Sequence, residues 1–163
     1  MTKPNKRIEV DVPTQTLVLR DGERIILEVQ VSTARNGVGE VMGSECTPRG
    51  HHVICAKIGA GQPANAVFVG RRPTGEIYSP GLRKVYPERD WILTRILWLK
   101  GCEPGRNRLG NVDTMRRFIY IHGAPDDDPM GVPGSRGCVK MNNADLIRLF
   151  DLVEIGTPVE ILG

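Results

Sequence analysis

Apolar and polar residues alternate with a period of two through much of the first third of the chain. In Arg7–Val12, Ile8, Val10 and Val12 fall on one face, the pattern of a half-buried strand. Thr16–Arg20 repeats it after a Pro-Thr-Gln break, and Arg20–Val31 reads as a hairpin with Asp21-Gly22 at its turn. His51–Ile58, Ala66–Gly70, Trp91–Leu99 and Arg116–His122 are rich in β-branched and aromatic residues, and each predicts a further strand. One segment changes period. From Asn142 to Gly156, residues Leu146, Leu149, Phe150 and Val153 recur on one helical face. Asn142 or Asn143 is placed to cap that helix, Asp145 lies in its first turn, and Gly156 and Pro158 end it. Pro158–Leu162 then reads as a closing strand. The pattern predicts a mainly β fold with one helix near the C-terminus, and shows neither repeats nor a linker, so residues 1–163 are expected to form one domain.

Composition changes this picture little. Nineteen glycines and twelve prolines favour turns and short strands over long helices. The net charge of +3 suits an acidic substrate but is too small to indicate nucleic acid. Basic pairs such as Arg71-Arg72 and Arg116-Arg117 come with only 5% aromatic residues and no recognised motif, so no nucleic-acid partner is expected. The first twenty residues hold no apolar run of signal-peptide type, and no window approaches the length of a membrane span. The expected location is the cytoplasm, with the periplasm as the alternative for a chain trimmed of an export signal. Cys46, Cys55, Cys102 and Cys138 are too sparse for a disulfide scaffold and read as free thiols.

The candidate chemistry lies in Ile119–Met141, "IYIHGAPDDDPMGVPGSRGCVKM". His122 ends a predicted strand, where functional groups commonly sit on a rigid scaffold. An imidazole within hydrogen-bond reach of a thiol takes its proton and later protonates a leaving amine. Gly134-Ser135-Arg136-Gly137 lets the backbone turn tightly ahead of Cys138. The consecutive amides of Gly137 and Cys138 are then candidates for an oxyanion hole. Spacing alone leaves open a second reading, in which a strand-end histidine and a buried cysteine never meet.

Resemblance changes that balance. The elements "IHGAP" and "GSRGCVKM" resemble the signature of the L,D-transpeptidase (YkuD-type) catalytic domain family. The Thr47-Pro48-Arg49-Gly50 turn in "CTPRGHHVICAKIG" and the run "LWLKGCEPGRNRLGNVDTMRRFIYIHG" extend the likeness over most of residues 8–162. The resemblance implies a β-sandwich catalytic domain with Cys138 as nucleophile and His122 as base. It makes the Gly123 carbonyl the partner of the other imidazole nitrogen, and the Gly137 and Cys138 amides the oxyanion donors. Arg136 stands where many members have histidine, and Lys140 where many have asparagine or arginine. Arg136 is thus either a guanidinium fork for a substrate carboxylate or a solvated loop residue. Ser135 either donates a hydrogen bond in the site or shapes the turn.

The implied substrate is a peptidoglycan tetrapeptide stem, cleaved between the L-centre of its diamino acid and the terminal D-alanine. D-Alanine leaves and a thioester forms. Water then gives a trimmed tripeptide, whereas an amine gives a cross-link or exchange. A cytoplasmic location points to L,D-carboxypeptidase action on soluble muropeptides in recycling, with periplasmic transpeptidation as the alternative. The resemblance also implies acylation by carbapenems, and no metal or cofactor.

Three other features have bland readings. Cys46, His51, His52 and Cys55 form a C-x4-HH-x2-C pattern suggestive of zinc, but on a strand His52 points away from His51 and Cys55, and Cys55 reads as core. Cys102 reads as a partly buried loop thiol, and Asp126-Asp127-Asp128 as a solvated loop without calcium-loop spacing. Trp91 and Trp98, seven apart, are expected on opposite faces of a strand, one in the core and one beside the cleft.

Overall fold

The computed structural model describes residues 5–163. Among them, ten strands join one hydrogen-bonded sheet: β1 (Lys6–Asp11), β2 (Thr16–Asp21), β3 (Arg24–Ser32), β4 (Gly50–Ile58), β5 (Ala66–Val69), β6 (Arg72–Ile77), β7 (Ile92–Gly101), β8 (Tyr120–Gly123), β9 (Val139–Met141) and β10 (Pro158–Leu162). Helix α1 (Pro80–Val85) precedes β7, and α2 (Asn143–Leu152) lies between β9 and β10. No helix among the described residues is long and apolar enough to cross a membrane.

The sheet order is β4-β10-β1-β2-β3-β9-β8-β7-β5-β6. Strand β7 also pairs with β4, from His52 opposite Gly101 to Ile58 opposite Ile96. That pairing joins the sheet to itself, so eight strands close into a barrel, which removes the open edges of a sandwich. The expected sandwich is therefore replaced by a barrel, with the β5–β6 hairpin carried on β7.

The two faces of β7, β8 and β9 serve different purposes. Leu97, Ile121, Val139 and Met141 join the main core with Ile8, Leu17, Leu19 and Ile54. Helix α2 adds Leu146, Leu149 and Phe150 to it, the residues its apolar period selected. Each such side chain contributes roughly 1.5–3 kcal/mol on burial. On the opposite face, Ile96 and Tyr120 pack with Phe68, partly buried Trp98 and Cys138. The candidate site lies on this second face.

Local differences from the sequence reading have local causes. Helix α1 is six residues, too short to show a period; the Ser79 hydroxyl caps it by accepting from Leu82 N at 3.1 Å. The strand expected from Arg116 begins only at Tyr120, because Asp113 Oδ1 accepts from Arg116 N (3.0 Å) in a turn and Phe118 adopts φ +57°. The hairpin of β2 and β3 turns on Gly22-Glu23, one residue later than expected, with Asp21 opposite Arg24. Asn142 is the cap of α2, leaving Asn143 to be buried.

Candidate active site

Register places the two candidate catalytic residues. Strands β8 and β9 run parallel, with Ile121 opposite Val139 and His122 opposite Lys140. Cys138, one residue before β9, therefore faces the start of β8. The Tyr120 amide donates to Cys138 Sγ at 3.3 Å, and the thiol itself donates to Phe118 O at 3.5 Å. Two residues along β8, His122 shares the face of Tyr120, by the alternation of a strand. His122 and Cys138 line one cavity of about 390 Å³, together with Arg71, Asp90, Arg117 and Arg136. The two side chains thus share one cavity.

The imidazole tautomer follows from its contact. His122 Nδ1 lies 2.6 Å from Gly123 O, and a carbonyl only accepts, so Nδ1 carries the proton. Nε2 is then the free lone pair. Burial holds the imidazole below the usual histidine range, opposed by Asp90 and by the Gly123 hydrogen bond. Burial likewise pushes the Cys138 thiol up to about 12. The resting pair is accordingly a neutral thiol and a neutral imidazole rather than an ion pair.

The turn before Cys138 is braced from both sides. Ser135, itself buried, donates from Oγ to Cys138 O at 2.6 Å and accepts from the Gly137 amide at 3.1 Å. Thr47 Oγ1 donates to Gly137 O at 2.9 Å and accepts from Ala34 N at 2.9 Å. Gly137 adopts φ +129°, and an added Cβ would meet Cys46 O and the Ile119 side chain. Of the two expected oxyanion donors, the Gly137 amide is thus engaged by Ser135, which leaves the Cys138 amide. Ser135 shapes the turn. Arg136 is exposed on the cavity rim, donating to Glu88 O at 3.3 Å.

Behind His122 lies a polar network that sequence reasoning missed. Buried Asn143 accepts from Thr94 Oγ1 (2.6 Å) and donates to Ala124 O (2.9 Å) and Asn65 Oδ1 (3.0 Å). The backbone just after the histidine is thereby tied to α2 and β7. Gly123 fits against this network: a Cβ there would meet Leu93 O at 2.6 Å and the Asn143 amide group. The signal available in the sequence was the second asparagine of "NNADL", which read only as an alternative cap.

Several expectations need revision. Asp128 is not solvated: it pairs with Arg83 at 2.8 Å and Lys140 at 2.9 Å. Those cations hold its carboxyl below the usual range, against the opposing effect of burial. Cys55 is partly exposed rather than core; Ile54 and His52 are the inward residues of β4. His52 Nδ1 donates to Gly50 O at 3.0 Å, so its Nε2 accepts from Thr114 Oγ1 at 2.9 Å. His51, by contrast, is exposed, and among the described residues no three His, Cys, Asp or Glu side chains converge as metal ligands. Cys102 is exposed rather than partly buried. Trp91 is buried against Tyr78, while Trp98 lies on the site face beside Tyr120.

Known structures share this architecture. An L,D-transpeptidase from Mycobacterium smegmatis superposes with a TM-score of 0.63 at 17% identity, covering 99% of this chain and 60% of that one. An L,D-transpeptidase solved with imipenem gives 0.61 at 17% identity, with 99% and 60% covered. L,D-transpeptidase 3 from Mycobacterium tuberculosis, solved with a faropenem-derived adduct, gives 0.60 at 17% identity, with 99% and 62% covered. The chain thus spans about three-fifths of the length of these proteins. Comparison with curated proteins returns no significant match. The YkuD family profile, the L,D-transpeptidase catalytic domain, matches residues 5–161. With that match running over nearly all the described residues, the chain belongs to the L,D-transpeptidase catalytic domain family.

Proposed function

We propose that this domain is a cysteine acyl-enzyme that releases the terminal D-alanine from peptidoglycan tetrapeptide stems, with water as the acceptor. The observation that carries this reading is the parallel β8–β9 register, which sets thiol and imidazole on one face of one cavity. Cys138 Sγ attacks the carbonyl between the diamino acid's L-centre and D-alanine. As the carbon–sulfur bond forms, the thiol proton passes to His122 Nε2, and the Cys138 amide faces the developing oxyanion. The imidazolium then protonates the D-alanine nitrogen as the carbon–nitrogen bond breaks. A water, deprotonated by the same Nε2, releases the tripeptide and restores the thiol. In the resting state the thiol proton points to Phe118 O, so substrate must redirect it towards His122. Such tightening on binding is common to catalytic pairs.

Cys138 is itself partly exposed, in the cavity that Asp90 and Arg136 also line, which is in keeping with a water acceptor. One observation favours a second acceptor. Asp90 is the only carboxylate among the cavity-lining residues and suits an incoming ammonium group, as transpeptidation or D-amino-acid exchange requires. Imipenem and a faropenem-derived adduct occupy two of the similar structures, and acylation of Cys138 by carbapenems is part of the same proposal.

The deciding experiment is mass spectrometry of the domain with soluble disaccharide-tetrapeptide, beside Cys138→Ala, with and without added D-amino acid. Loss of one D-alanine and no dimer is the expected result. Cross-linked dimer or exchange product assigns the amine acceptor instead. No reaction with the native protein would overturn the substrate assignment.

A further inference from the structure

Three guanidinium groups, Arg71, Arg117 and Arg136, line the cavity that holds Cys138. Arg117 is spent on backbone, donating to Cys46 O at 2.6 Å and Gly39 O at 3.2 Å, and Arg136 reaches Glu88 O from an exposed position. Arg71 differs. Its guanidinium lies 4.8 Å from the Trp98 ring centroid and 4.9 Å from that of Phe118, and Nη1 donates to the Tyr120 hydroxyl at 3.2 Å. Trp98 is itself oriented by donating to Met115 O at 3.1 Å. Among the described residues, Arg71 makes no ion pair. It is a half-buried cation, stacked and aimed, with its remaining donors uncommitted.

The backbone on both sides is held in an uncommon conformation. Arg71 is the second residue of the two-residue turn joining β5 to β6, at φ +64°, a position that glycine ordinarily takes. Phe118, whose ring covers it, sits at φ +57° with half its surface exposed. Bulky residues rarely adopt this region, and such outliers cluster at ligand clamps.

We propose that Arg71 is a specificity-determining anchor for a carboxylate of the acyl-donor peptide, other than that of the leaving D-alanine. Distance along the chain gives the second half of this assignment. The Tyr120 amide touches the sulfur, and the Tyr120 hydroxyl touches Arg71. Arg71 therefore stands about one tyrosine side chain from the nucleophile. The leaving residue's carboxylate is only one carbon removed from the scissile nitrogen and lies too near; a carboxylate further along the donor reaches the guanidinium. The inference rests on the acyl-enzyme reading of the site.

The test separates the two. In the Cys138→Ala background, calorimetry measures binding of the tetrapeptide stem with free carboxylates, and of the same stem with its non-terminal carboxylates converted to amides. Amidation and Arg71→Gln are each expected to weaken binding roughly 10- to 100-fold, as for a charge-assisted hydrogen bond. Together they cost little more than either alone, and Arg71→Lys restores part of the loss. An Arg71→Gln protein that loses the same factor on both peptides would make the arginine a hairpin pin and overturn the proposal. So would unchanged binding. D-Alanine release by the native domain, measured in parallel, reports on the acyl-enzyme reading alone. Failure of the Cys138→Ala protein to bind the free-acid stem, while the native domain releases D-alanine, would overturn the anchor and leave the acyl-enzyme reading standing.

Discussion

Tyr120 and Cys138 are joined through the backbone: the Tyr120 amide donates to Cys138 Sγ at 3.3 Å, and two residues further along the same strand stands His122. Cys138, in the turn just before β9, and His122, on β8, are thus positioned through one parallel strand pair.

Replacing Cys138 by alanine is expected to abolish D-alanine release while preserving the fold, since the residue lies in the turn before β9 and the change removes only its sulfur. His122→Ala should lower kcat/KM at least ~10²-fold, the scale of a lost general base. Steady-state kinetics with circular dichroism of both variants checks this. Native-like turnover by Cys138→Ala sinks the mechanism.

The neutral resting pair has a pH signature. His122 titrates below its usual range and the thiol only near about 12. The base is competent once it is unprotonated, so kcat/KM should rise with an apparent pKa below 6.5 and stay level through neutrality. Alkylation by iodoacetamide should meanwhile reach exposed Cys102 before Cys138 near pH 8. A rising limb centred above 6.5, or preferential alkylation of Cys138, contradicts the neutral pair.

Acid should weaken the fold through His52, which the reaction does not use. Burial lowers its pKa from 6.5 to about 4, so the unfolded chain binds the proton more readily than the folded one. Stability is then complete above pH 6.5 and declines as pH falls towards about 4, by about 3 kcal/mol in all. Urea midpoints at pH 7 and pH 4 measure the loss. His52→Gln, lacking the titrating ring, should show a shallower acid decline; an unchanged decline assigns it elsewhere.

Gly123 tests how closely the histidine strand is fitted. A methyl group there would run into Leu93 O and the Asn143 amide group. Gly123→Ala should cost about 1–3 kcal/mol, as overpacked sites do, and should displace the carbonyl that fixes the His122 tautomer. Both the melting temperature and kcat are expected to fall. Full activity with an unchanged melting temperature would show that the network yields.

Most of the strands and the one long helix were legible because each displays its own period. Ile8, Val10 and Val12 alternate, and Leu146, Leu149 and Phe150 recur, whatever surrounds them. Cys138, His122 and the Gly123 carbonyl were singled out because "IHGAP" and "GSRGCVKM" resemble a family signature; spacing alone left open that the two side chains never meet. Short elements were not legible. A three-residue β9 and a six-residue α1 are below the length at which a period shows.

Everything that depends on partners far along the chain was decided only by tertiary structure. Closure of the barrel needs β4 to meet β7, and no local pattern names that pairing. Burial of His52 rather than Cys55 follows from which face of β4 that closure turns inward. Occupation of the Gly137 amide by Ser135 is a matter of tenths of an ångström within a turn. The aromatic clamp on Arg71 gathers three segments, around residues 71, 98 and 118–120, that are unrelated in sequence. Periodicity and turn chemistry are properties of neighbours along the chain; charge, burial and reactivity depend on neighbours in space, which only the closed sheet supplies.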